Sequence, residues 1–129
     1  MVLSIQAKRS RTKNGKWEAY YDNGRAHSGL DVIDWAKRGV ELGAGEILVM
    51  SVDNEGLRRG MDIDLISQIC EEVDVPVICG GGVGKPEDIV SAANAGADAV
   101  ACASVFHYED FSIGDMKRKI IEKGVQVRL

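Results

Sequence analysis

Two stretches of this chain carry residues suited to holding an anion. Val77-Ile78-Cys79-Gly80-Gly81-Gly82-Val83-Gly84 runs from an apolar segment into three consecutive glycines, and Ala103-Ser104-Val105 follows a second apolar segment. Without Cβ atoms, the backbone at Gly80, Gly81 and Gly82 can approach a ligand closely and offer its N–H groups. Ala103-Ser104, at the start of a short helix, adds free N–H groups, the positive end of the helix dipole and one hydroxyl. Two such sites after neighbouring parallel strands are how a β/α barrel holds a phosphate at the C-terminal ends of its last strands. A glycine run also makes a tight strand-to-helix turn, and taken alone Gly80 to Gly82 favour that role. Ala103-Ser104 in register one unit later moves the reading to phosphate.

The elements that must position these residues follow from hydrophobic pattern and punctuation. Residues 1–7 are mostly apolar and read as a strand buried on both faces. Asn14-Gly15 is a type I′ turn signal between strands at 8–13 and 16–21, and Asp22-Asn23-Gly24 ends the second of them. Lys8, Arg9, Arg11, Lys13 and Lys16 cluster there as a solvated edge that discourages strand pairing. Ser28 with Asp31 resembles a capping pair opening a helix over 30–42, whose core face is Val32, Ile33, Ala36 and Val40 and whose stop is Gly43. A second core strand spans 46–51, with Asp53-Asn54-Glu55-Gly56 as its outgoing loop. Asp62 caps a helix reaching residue 72, a third strand spans 75–79, and Pro86 opens a helix that ends at Ala95-Gly96. A fourth strand at 97–102 precedes a last helix capped by Ser112 and Asp115 and closed by Gly124, with 125–129 as a tail. The order predicts an α/β fold of four βα units, parallel strands with outer helices and an extra β-hairpin after the first strand. Four units are half of an eight-stranded TIM barrel, whose usual length is roughly 250 residues.

Composition narrows the function classes. The 129 residues suit one half-barrel domain over 1–129. A net charge of −4 and few aromatics argue against nucleic acid as a partner. Cys70, Cys79 and Cys102 are odd in number and lack ligand spacing, so reduced thiols are expected, with no metal and no cofactor. No run approaches 18 apolar residues and no signal-peptide layout opens the chain, so the expected location is the cytoplasm, away from membranes. His27 and His107 lie far apart with no nucleophile beside them and read as packing or loop histidines.

Several motifs in order resemble one family: Ala7-Lys8-Arg9, Gly43-Ala44-Gly45-Glu46-Ile47-Leu48, Ser51-Val52-Asp53, Gly81-Gly82 and Ala103-Ser104-Val105-Phe106-His107. It is the cyclase subunit of imidazole glycerol phosphate synthase, of histidine biosynthesis, and the match covers the C-terminal half of that family's (βα)8 barrel. The resemblance implies a lyase that takes ammonia from a glutaminase subunit. It adds the ammonia to a phosphoribulosyl formimino substrate, giving imidazole glycerol phosphate and an aminoimidazole carboxamide ribotide. That substrate has a phosphate at each end, and each half-barrel supplies one phosphate site. Gly82, Ala103 and Ser104 match the family's phosphate-binding positions, with Gly81 beside them; Gly56 and Asn23 match positions that also line the site. Glu46 matches the acidic member of a charged gate at the barrel's N-terminal end, where ammonia enters.

The sequence departs from the family where the chemistry is done. The family uses two aspartates as general acid and base, and one of those positions falls here on Gln6, before Ala7-Lys8-Arg9. An amide has no proton equilibrium near neutral pH, so Gln6 can orient a group but cannot relay a proton. The other aspartate belongs to the half this chain does not match. Met50 replaces a hydroxyl residue and Glu55 an aspartate, while Asp53 keeps a carboxylate in the outgoing loop that is read equally as structural. The chain alone is therefore expected to be inactive. The competing expectation is a non-catalytic half-barrel that self-associates and binds phosphate, or a phosphorylated small molecule, without turnover. Homo-oligomers are expected from open strand edges and an inward face rich in Ile, Leu and Val.

Overall fold

A computed structural model describes residues 1–108 and 111–128, so the last residue of the expected tail, Leu129, lies outside the described residues. The elements in order are β1 (Val2–Arg9), β2 (Trp17–Tyr21), β3 (Ala26–Asp31), α1 (Val32–Glu41), β4 (Glu46–Ser51), α2 (Ile63–Glu72), β5 (Val77–Gly80), α3 (Pro86–Asn94), β6 (Ala99–Ala101), α4 (Ser104–His107) and α5 (Ile113–Glu122). They form one six-stranded sheet in the order β3-β2-β1-β4-β5-β6. β1, β4, β5 and β6 pair in parallel, which is the expected run of βα units, and the hairpin strands add antiparallel beyond β1.

Alternation along the strands separates two faces. Ile5, Ala7, Ile47, Val49, Val77 and Cys79 are buried beneath the helices. Most of the β-branched strand residues thus point into the helix layer. α1 lies so close on β1 that a Cβ at Gly39 would meet Leu3 Cδ2 at 2.2 Å. The opposite face carries Val2, Ser4, Gln6, Leu48, Met50, Ile78, Ala99 and Ala101, and no helix of the described residues covers it. It is less rich in Ile, Leu and Val than expected, with polar and small residues between the large ones. Nor is the β1 edge open along its whole length: residues 6–9 pair with β2, and only the beginning of the strand is free.

The hairpin differs from the sequence expectation in three respects. The first strand and the first hairpin strand are one element, β1, which continues beyond residue 7 because β2 supplies its backbone partners. The turn at Asn14-Gly15 is not a two-residue type I′ turn. Ser10 N–H bonds to the Lys16 carbonyl across a longer loop, and of the pair only Gly15 has positive φ, whereas type I′ needs both. Finally, residues 26–31 form a third strand. Ser28 does not cap α1; its hydroxyl donates to the Ala19 carbonyl across the hairpin. Asp31 alone is the N-cap, accepting from Ile33 and Asp34 N–H at 2.9 and 3.2 Å, so the helix begins two residues later than expected. The other caps are where the sequence puts them: Asp62 on α2, Pro86 at the first turn of α3 and Ser112 on α5.

Candidate functional site

At the C-terminal ends of β4, β5 and β6 the loops enclose a cavity of about 240 Å³. Gly56, Gly81, Gly82, Ala103 and Ser104 line it, together with Met50, Glu55, Val83, Ala101 and Cys102. Five of the six residues singled out for phosphate are therefore brought together, from three separate loops.

The glycines owe their identity to the neighbouring loop as much as to any ligand. Gly81 and Gly82 both have φ +96, a conformation costly for any residue with a Cβ. A Cβ on Gly82 would stand 2.0 Å from the Gly60 carbonyl oxygen, and one on Gly81 2.7 Å from that of Ser51. Gly60 N–H donates to the Gly82 carbonyl at 2.9 Å. Asn54 holds the β4 loop in shape, its Oδ1 accepting from the Ser51 hydroxyl at 3.0 Å and its Nδ2 donating to Gly60 O at 2.8 Å. Asp88, in the first turn of α3, accepts from Gly84 and Lys85 N–H at 2.9 and 3.0 Å and pins the far end of the glycine loop. The two loops form a single interlocked wall. Gly56, by contrast, has φ +74 and nothing within 4 Å of where a Cβ would be.

On the opposite wall, Ala103 is the N-cap of α4, and its carbonyl accepts from Phe106 and His107 N–H. The N–H groups of Ser104 and Val105 open that helix and so have no carbonyl in a preceding turn to bond. With only four residues, α4 contributes these donors rather than a macrodipole. Cys102, also in the wall, is an inert lining group, since burial pushes its thiol pKa up to about 11. The lining contains no lysine or arginine, so an anion here would be held by backbone N–H groups and one hydroxyl.

The remaining sequence candidates lie elsewhere. Asn23 (φ 54) sits in the β2–β3 turn between Asp22 (φ 52) and Gly24 (φ 75), outside the cavity lining. That turn lies over the end of β1, with a Cβ at Gly24 falling 3.5 Å from Gln6 Oε1. Gln6 pairs with Met50 on one side and Tyr20 on the other, and its Oε1 is buried with no hydrogen-bond partner among the described residues. Glu46 opens β4, at the opposite end of the sheet. Asp53 has a structural partner, its Oδ2 accepting the Arg9 backbone N–H at 2.8 Å.

Arg9 anchors the same corner. Its guanidinium bonds Asp62 at 2.7 Å and Asp64 at 3.3 Å and lies over the Trp17 ring, 5.0 Å from its centroid. Trp17 Nε1 donates to the other Asp62 oxygen at 2.8 Å. Sequence reasoning read this basic segment only as a solvated edge. It also missed the grouping of Glu18, Tyr20 and His27 on the hairpin, which becomes visible only once residues 26–31 are recognised as a strand opposite β2.

Similarity to known proteins runs along the whole chain. The imidazole glycerol phosphate synthase subunit HisF of Thermococcus gammatolerans is 44% identical over 130 residues, covering 100% of this chain and 50% of its own length. The same subunit from Pyrococcus furiosus is 43% identical with the same coverage. That of Leifsonia xyli subsp. xyli is 44% identical over 128 residues, covering 99% of this chain and 50% of the relative. The chain spans about half the length of these curated relatives. A family model described as histidine biosynthesis protein matches residues 1–112, and the chain belongs to that family.

Proposed function

We propose that this chain is the C-terminal half-barrel of a cyclase of the imidazole glycerol phosphate synthase kind, binding one phosphate end of a phosphorylated substrate. The observation that carries the reading is the single cavity lined by Gly56, Gly81, Gly82, Ala103 and Ser104. Phosphate oxygens would accept from the N–H groups of Gly82, Ser104 and their neighbours and from the Ser104 hydroxyl. Asn23 would reach the substrate from the hairpin turn above β1. Glu46 would stand at the ammonia entrance, facing a glutaminase subunit. No cofactor is needed for this chemistry. The working location would be the cytoplasm; among the described residues no helix is long and apolar enough to cross a membrane.

The uncovered sheet face and the free edge of β6 would be closed by a complementary half-barrel or, for the isolated chain, by a second copy. Turnover requires the complementary half, because Gln6 cannot exchange protons and the second phosphate site lies outside this chain. Gln6→Asp in the completed barrel should raise ammonia-dependent product formation. The site itself is tested by titrating the 129-residue chain with inorganic phosphate and following amide resonances by NMR. Shifts concentrated at Gly56, Gly81, Gly82, Ala103 and Ser104 are expected, and shifts confined to surface lysines would refute the assignment.

A further inference from the structure

The sheet face that carries Gln6 continues onto the hairpin, where it holds four ionisable side chains in contact. Tyr20 stands directly across from Gln6, and His27 directly across from Tyr20. The Tyr20 hydroxyl lies 3.2 Å from His27 Nε2, and His27 Nδ1 lies 3.2 Å from both carboxylate oxygens of Glu18. The two rings are tilted with centroids 4.6 Å apart, and Lys8 Nζ sits 5.3 Å from the centre of the Tyr20 ring. Glu18 also accepts the Gly29 N–H at 2.9 Å. That bond, then the contact with His27, holds its carboxyl below the usual range, so it is ionised at neutral pH. An ionised carboxylate only accepts, which assigns the proton to Nδ1. In the neutral imidazole, Nε2 is then a bare acceptor facing the Tyr20 hydroxyl.

We propose that Glu18, His27 and Tyr20 form a proton relay whose working end is the Tyr20 phenol, a general base and nucleophile beside Gln6. In the transfer the Tyr20 Oη proton passes to His27 Nε2 while Nδ1–H stays against Glu18. The imidazolium is then paired with the Glu18 carboxylate, and the phenolate lies beneath the Lys8 ammonium, so both new charges are compensated. Position 6 carries an amide, and the phenol hydroxyl stands one strand further out, about 5 Å away. Its use on a phosphorylated substrate rests on the reading above. Met50, in the cavity wall, is two strand spacings or about 10 Å from Tyr20, within the span of a phosphorylated sugar. The relay itself stands on the hairpin alone.

Acylation of the 129-residue chain by N-acetylimidazole near neutral pH tests it. Tyr20 Oη forms a bond to the acetyl carbon, the C–N bond of the reagent breaks, and the departing imidazole takes the proton that His27 received. Tyr21 and Tyr108, at 61% and 62% exposure, are internal references for the half-buried Tyr20. Peptide mass spectrometry should show Tyr20 acetylated at least about tenfold faster than either, a modest share of what a positioned base contributes. His27→Gln should bring Tyr20 to or below the Tyr21 rate, and Glu18→Gln should reduce it, with Tyr21 and Tyr108 unchanged. His27 is 69% exposed in its side chain, so its replacement spares the core, and the circular dichroism of each variant checks its fold. Tyr20 reacting no faster than Tyr21, or keeping its rate in both variants, would overturn the relay. A failed phosphate titration would refute the cavity reading and leave these rates as they are.

Discussion

Gly82→Ala and Gly56→Ala separate the two reasons a glycine stands in the cavity wall. Both positions have positive φ, so each alanine carries a backbone cost of about 1–2 kcal/mol. At Gly56 the methyl meets nothing within 4 Å and the cost ends there. At Gly82 the methyl would stand 2.0 Å from the Gly60 carbonyl oxygen, whereas ordinary contact begins at 3.4 Å. The two loops must move apart by more than an ångström. That motion breaks the 2.9 Å bond from Gly60 N–H to the Gly82 carbonyl and leaves partly buried groups unpaired, which adds about 1–3 kcal/mol. Gly82→Ala should therefore cost about 3 kcal/mol or more, a large part of the 5–15 kcal/mol typical of a whole domain. Urea unfolding of both variants at one protein concentration measures this, the fixed concentration being needed wherever association contributes to stability. Overlapping unfolding curves for Gly82→Ala and Gly56→Ala would refute the argument that loop contact, rather than ligand access, demands glycine at 82.

Asp62→Ala should cost about 2 kcal/mol or more, because it strands Trp17 Nε1 in the core and removes an α2 cap bond; tryptophan fluorescence during urea unfolding reads it. Arg9→Met should be milder, since the Arg9 side chain is half exposed. Stability should hold from neutral pH down to about 4.5, the ordinary Glu value, and decline below it. Lys37 lowers the pKa of Glu72 and Lys123 that of Glu87. A depressed folded-state pKa gives stability that is present above the unfolded value and lost as pH falls through the folded one; urea midpoints against pH, with and without high salt, would show it. Native Cys79 and Cys102 should resist alkylation near pH 8, because burial pushes their thiols up to about 12 and about 11; rapid labelling seen by mass spectrometry would contradict that.

Much of the βα frame is legible from local rules. Asp62, Pro86 and Ser112 announce helix starts through short-range hydrogen bonding and fixed φ, and the apolar segments before Gly80 and Ala103 do form strands, the first buried and the second, β6, largely exposed at the edge of the sheet. The grouping of Gly56, Gly81, Gly82, Ala103 and Ser104 was readable for the same reason, since parallel strands deliver their outgoing loops to one end. The hairpin was not readable. Residues 26–31 contain Ser28, Gly29 and Asp31, which locally favour a turn and a cap, and they become a strand only because β2 offers them a ladder. With that strand came the contacts among Glu18, Tyr20 and His27, nine and seven positions apart along the chain. The glycines show the same division. The chain marks Gly82 as a place where backbone must come close, and only the packed loops reveal that the approaching backbone is the protein's own Gly60, because a steric contact between distant segments leaves no trace in either segment's sequence.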